Sequence, residues 1–186
     1  MASIQKRGKK YAVVYSYEDS DGTKRQKWES YSTKKEATKR KAAVENEINN
    51  GTFIPPSSTT VRMFLKDFVE LYGTKRWGLS AYTANTGLIE NYINPLLGDQ
   101  IVQDVNRRTV DRFIQRLQKT PPVETPYRHA RTEFVTACTI EKIMKLMRCA
   151  FHQAVRWDMI GKNPFDDAIL PKREKNVRAI WTSDII

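Results

Sequence analysis

The sequence predicts an α+β chain: a small three-stranded antiparallel sheet with one helix, then a separate all-α bundle of four helices. Three observations carry this. Tyr11-Ala12-Val13-Val14-Tyr15-Ser16-Tyr17 is rich in the aromatic and β-branched residues that suit a strand. Pro55-Pro56-Ser57-Ser58-Thr59 has no apolar periodicity and reads as a linker. Beyond it, apolar residues recur at three- and four-residue spacings, which is helical. The expected organisation is a first domain over 1–54, a linker over 55–59, a helical domain over 60–171, and a final linker and helical turn over 172–186.

Ser3–Arg7, Tyr11–Glu18 and Lys24–Tyr31 read as three strands, with turn chemistry over residues 18–23 closing a hairpin of unreadable register. Thr33 and Glu36 have capping-box spacing, so a helix is expected from Lys34 to about Asn50, stopped by Gly51. Its Ala37, Val44 and Ile48 cover one face of the sheet and leave the other bare. A small sheet with an open side, carrying Lys24, Arg25, Gln26 and Lys27 on an edge hairpin, fits a DNA major groove. A solubilising surface is the plainer alternative.

Thr60 can cap a helix whose Val61, Phe64, Leu65, Phe68, Val69 and Tyr72 form one stripe, closed by Gly73. A second helix is expected from about Ser80 to Asn94, with Leu88, Tyr92 and Ile93 inward and Ser80, Tyr82, Thr83 and Asn85 at its start. Those four are candidates for phosphate contact at a helix N-terminus, or ordinary caps. Pro95-Leu96-Leu97-Gly98 is expected to end it. Asn106 can cap a third helix with Val110, Phe113, Ile114 and Leu117 inward and Arg107, Arg108, Arg112 and Arg116 outward. The fourth, over Thr139–Phe165, buries Ile140, Ile143, Met144, Met147, Phe151, Ala154 and Val155. It turns Lys142, Lys145, Arg148, His152 and Arg156 to solvent, with Gly161 and Asn163-Pro164 as its stop.

With 32 Lys and Arg against 21 Asp and Glu, the net charge is +11 and the pI about 9.7, which favours a polyanionic partner. The excess is spread along folded segments and not gathered in a tail. No apolar run reaches the length of a membrane span and the N-terminus lacks the apolar core of a signal peptide, so a cytoplasmic location is expected. Cys138 and Cys149 lie in one helical segment, about 16 Å apart by helical rise, and are expected to be plain thiols.

Catalytic chemistry is not found. Residues 119–135 read as a surface loop, whose Tyr127-Arg128-His129-Ala130-Arg131 cluster lacks the rigid support a catalytic set needs. Cys149 and His152 supply two metal ligands where a zinc site needs four. Phosphate-cradling glycine loops and nucleophile motifs are also missing, so no cofactor is expected.

The segments GTKRQKWESYSTKKEA, TVRMFLKDFVELY, YINPLLGD and AFHQAVRWDMIGKNPF, in this order, resemble the N-terminal half of a phage-type tyrosine recombinase, or integrase. The likeness is greatest to those of Gram-positive prophages and conjugative transposons. The resemblance implies an AP2-like arm-binding domain followed by a SAM-like core-binding domain, which hold two different double-stranded DNA sites. It implies that Thr139 and Lys142 open a DNA-approaching helix continued by Lys145 and Arg148, and that Thr83 opens a second one. The hairpin of Lys24 to Lys27 would read the arm site, and the basic linker with Lys172 and Arg173 would lie near DNA. The parent would be a strand-exchange enzyme working as a synaptic tetramer. Its catalytic arginines and nucleophilic tyrosine have no match here: His129 and Arg131 are spaced His-x-Arg, not the family's His-x-x-Arg. Trp181 to Ile186 would be the first turn of a catalytic domain. The alternatives are a stand-alone DNA-binding regulator of a mobile element and an RNA-binding module.

Overall fold

The computed structural model describes residues 2–18, 22–124 and 132–172. The chain divides into two compact units. The first comprises the residues up to Ser57 together with Asp158–Gly161, and the second Ser58–Trp157 and the described residues from Lys162 on.

In the first unit β1 (Ala2–Arg7), β2 (Lys10–Glu18) and β3 (Lys24–Tyr31) form an antiparallel sheet in the order β1-β2-β3. Gly8, at φ +58°, opens the two-residue turn between Arg7 and Lys10, a conformation that a side chain would strain. Helix α1 (Lys34–Asn49) starts at the expected capping box: Thr33 Oγ1 accepts from the Glu36 amide, and the Glu36 carboxylate accepts from the Thr33 amide. Ala2, Val13 and Tyr15 pack with Ala37 and Val44 of α1, flanked by Ile4, Tyr11, Tyr17, Tyr31 and Phe53. Ile48, expected in the helix stripe, is exposed instead. The apolar stripe of α1 ends at Val44, and the Phe53 ring packs on the central strand instead, 5.7 Å from the ring of Tyr15 and 6.2 Å from that of Tyr17.

The second unit is all helical. Thr60 caps α2 (Val61–Phe68) by accepting from the Met63 amide, and the helix continues through a π turn (Val69–Gly73) into α3 (Thr74–Arg76). Gly73 therefore does not stop it. A Cβ there would lie 2.8 Å from the Trp77 ring, so the glycine serves the close approach of an aromatic side chain. Helix α4 (Leu79–Leu88) likewise runs through a π turn (Ile89–Ile93) into α5 (Asn94–Leu97), past Pro95. Proline lacks the amide that would continue the α-helical ladder, and the wider turn ahead of it accommodates the missing bond. Ile89, Tyr92 and Ile93 are buried, and Leu88 only half-buried.

Helix α6 (Arg107–Leu117) buries Val110, Phe113, Ile114 and Leu117 as expected, under an Asn106 cap that accepts from the Thr109 amide. Helix α7 (Ala137–Arg156) is the spine of this unit. Phe151 meets Phe64 at 5.7 Å and Phe165 at 4.7 Å between ring centroids, and Phe64 in turn meets Trp157. Leu146 and Ala150 join the expected inward set, while Val155 is half-buried. The stop differs from expectation: α7 ends at Arg156, and Asp158 takes the left-handed conformation, φ +54°, that Gly161 was expected to supply. Asn163 is buried beyond it, donating to the Arg148 carbonyl and to Asp166 and accepting from the Phe165 amide.

Candidate nucleic-acid interface

Strand pairing settles the register that sequence left open. Tyr15 lies opposite Lys27 and Tyr17 opposite Arg25, whereas Ser16 lies opposite Gln26 and Glu18 opposite Lys24. Directly paired residues share a face. Lys24 and Gln26 thus belong to the open face, while Arg25 and Lys27 belong to the face that carries α1. The basic run of the edge hairpin is split between two sides.

The open face holds more than sequence reading assigned to it. Pairing places Ser3, Gln5 and Arg7 of β1, Lys10, Ala12, Val14, Ser16 and Glu18 of β2, and Trp28 and Ser30 of β3 beside Lys24 and Gln26. Arg7 lies over the Trp28 ring, its guanidinium carbon 4.4 Å from the ring centroid. The signal was available: once Val13 and Tyr15 are taken as core, alternation sends Ala12, Val14 and Ser16 the other way.

The opposite side of β3 is held rigid by one carboxylate. Glu29 accepts from the hydroxyls of Tyr15 and Tyr31, each at 2.7 Å, and from Arg40 Nε of α1 at 2.8 Å. Burial pushes the Glu29 carboxyl up, but the bonds from Arg40, Tyr31 and Tyr15 outweigh it and hold the group down at about 2. Burial, followed by the Glu29 carboxylate itself, pushes the Tyr15 hydroxyl well above its usual range. This network ties sheet to helix directly behind the open face.

In the helical unit, Ser80, Tyr82, Thr83 and Asn85 do not cap α4. The cap position is Gly78, without a side-chain bond, and the Tyr82 amide is already paired with the Gly78 carbonyl. Ser80 and Thr83 are exposed, and the Thr83 hydroxyl donates back to the Leu79 carbonyl. Tyr82 is half-buried with its ring 6.4 Å from that of Trp77, and Asn85 is half-buried one turn on.

Along α7 the residues Thr139, Lys142, Lys145 and Arg148 follow three-residue steps. Each step falls about 60° short of a full turn, so the first and last lie on opposite flanks. Lys142 and Lys145 are exposed between them, whereas Thr139 and Arg148 are half-buried. Thr139 Oγ1 pairs with Thr136 Oγ1, and Arg148 Nε donates to the Phe165 carbonyl at 3.3 Å. His152 is paired with Asp166, and Cys149 Sγ approaches the Tyr72 hydroxyl. Lys172 is exposed; Arg173, the Tyr127 to Arg131 cluster and Trp181 to Ile186 lie outside the described residues. Among the described residues no group of three or more potential metal ligands gathers, and no helix is long and apolar enough to cross a membrane.

Comparison with known proteins bears on both units. Residues 3–48, the sheet and nearly all of α1, match the family described as the Arm DNA-binding domain. Lambda integrase, in the crystal structure of its tetramer bound to a Holliday junction, matches over 97% of this chain and 50% of its own. The TM-score is 0.54 and the identity 15%. The chain has the fold of an integrase's N-terminal domains. The integrase-like domain from Bacillus cereus matches over 66% of this chain and 92% of its own, at a TM-score of 0.53 and 22% identity. A lambda integrase dimer bound to a COC′ core site matches over 97% of this chain and 48% of its own, at 0.52 and 14%. The chain thus spans about half the length of the lambda integrase chains it matches. No curated protein matches the sequence significantly.

Proposed function

We propose that this chain is the DNA-binding portion of a site-specific tyrosine recombinase of a prophage or conjugative transposon. The observation that carries the reading is the open sheet face, in a unit that matches an Arm DNA-binding domain. It presents Lys24, Gln26, Arg7 and Trp28 on one side of a short sheet, braced from behind by Glu29, and base edges in a major groove are what such a set of donors and an indole can read. The helical unit holds the second, core-type site through Lys142 and Lys145 of α7, with Ser80 and Thr83 of α4 as further backbone contacts. Strand cleavage belongs to a catalytic domain outside these residues, and the full enzyme works as a tetramer on the bacterial chromosome in the cytoplasm. With the boundary at residues 55–59, segments 1–54 and 60–178 fold and bind DNA separately; a collapsed NMR spectrum from either alone would refute this.

The test is a salt titration of the chain against short duplexes from the ends and the crossover site of the element that encodes it. Separable binding to both, tighter than to random DNA, is expected. Equal binding to all duplexes together with tighter binding to structured RNA would replace the recombinase reading with an RNA-binding one.

A further inference from the structure

The open face of the sheet has an apolar centre within a polar rim. Lys24 stands at one end of the face and Lys10 at the other, both exposed. Between them Trp28 is 43% exposed, while Ala12 and Val14 of the central strand, on the same face, are 3% and 5% exposed. Arg7 and Trp28 come from the two outer strands, so their contact spans β2, and the small side chain of Ala12 leaves room for it. The Arg7 guanidinium forms no ion pair or hydrogen bond with the described residues; the indole is what holds it.

This arrangement is poorly suited to a phosphate contact, which the end lysines supply more simply. A guanidinium lying over an aromatic ring keeps its donor edge free, and two parallel N–H groups on that edge match O6 and N7 of guanine in the major groove. The exposed indole offers an apolar surface for a thymine C5-methyl group. Because the stack sets the guanidinium before DNA arrives, less side-chain freedom is lost on binding.

We propose that Arg7 and Trp28 act as a paired base reader: Arg7 binds a guanine edge bidentately, and Trp28 packs on the methyl group of a thymine in the adjacent base pair. The inference rests on the arm-site reading above and specifies what that site must contain.

The experiment is enrichment of randomised duplexes on the full chain, followed by affinities for the best duplex and two analogues of it. Uracil in place of thymine removes the methyl group; 7-deazaguanine in place of guanine removes the N7 acceptor. The enriched motif is expected to hold a guanine and a thymine in neighbouring pairs. Uracil should weaken binding about fourfold, the worth of one buried methyl, and 7-deazaguanine about tenfold. Trp28→Phe and Trp28→Ala should lose the uracil sensitivity in part and in full, and Arg7→Lys should lose the 7-deazaguanine sensitivity. Measurements on the unaltered chain decide the matter even where a variant folds poorly. An enriched motif whose analogues bind as well as the parent, or whose sensitivities persist in the variants, overturns the pair as reader and leaves the arm-site reading standing. Failure to enrich any motif over random DNA overturns both.

Discussion

The two units solve the same problem of stability by different means. The helical unit buries Phe64, Phe68, Phe113, Phe151 and Phe165 with Leu65, Ile93, Leu117, Ile140, Ile143 and Met144, a core made almost wholly of large apolar side chains. The sheet unit has a buried cluster of Ala2, Val13, Tyr15, Ala37 and Val44, of which only Tyr15 is large. A domain this small buries too little surface to rely on apolar packing alone. It adds a directional polar network instead, with Glu29 receiving Tyr15, Tyr31 and Arg40. Packing tolerates some sliding, whereas hydrogen bonds fix geometry. The unit with the thinner core is therefore the one whose outer strand β3 is tied by a polar network to both β2 and α1.

The largest expected effect tests the apolar half of this contrast. Phe151→Ala should cost the helical unit about 3–5 kcal/mol, lowering its melting transition while amide spectra of the sheet unit stay unchanged. A shared shift of both would remove the contrast. Glu29→Ala should cost the sheet unit about 2–3 kcal/mol, because three donors lose a charged acceptor. An unaltered transition would show the network to be decorative. The same carboxylate sets a pH dependence with a definite sign. Its folded value, about 2, lies below the ordinary 4.5, so its contribution is complete above pH 4.5 and is lost as pH falls towards 2. Thermal melts of the wild type and Glu29→Gln should converge over that interval, in the sheet unit only.

Smaller effects separate the two faces of the hairpin. Lys24→Ala should reduce the salt slope of arm-duplex binding by about one, and Lys27→Ala should leave it unchanged. Equal slopes would mean that strand register does not govern contact. On α7, Lys142→Ala should flatten core-duplex binding by a similar amount. Arg148→Ala should do so less and instead lower the melting temperature slightly, since its side chain is tied to the Phe165 carbonyl.

Sequence revealed the element types and most of the core because each was written in local terms. The Thr33–Glu36 box, the Thr60 and Asn106 caps and the inward set of α6 are read within a few residues of themselves. Register was hidden because it depends on pairing between strands; that is why Lys24 to Lys27 read as one basic run and why Arg7 and Trp28 were passed over. Glycine and proline misled where tertiary contacts overrode their usual meaning. Gly73 answers to the Trp77 ring, and Pro95 sits inside a helix whose preceding turn was widened for it. Glu29 gave no signal, because one more acidic residue in a hairpin that already carries Glu18, Asp19 and Asp21 looks like surface until its partners from β2 and α1 are in place.

The widened turns at Val69–Gly73 and Ile89–Ile93 each hold one residue more than an α-helical turn would. In an insertion-and-deletion sense each is a one-residue phase shift of about 100°. A gap-free alignment of this chain to a straight-helix relative would assign Ser80, Thr83 and their neighbours to the wrong sides of the helix. Transfer of contact residues onto α4 should therefore count backwards from the π turn with one position skipped, and a single deletion there would swing the whole start of the helix to a new bearing.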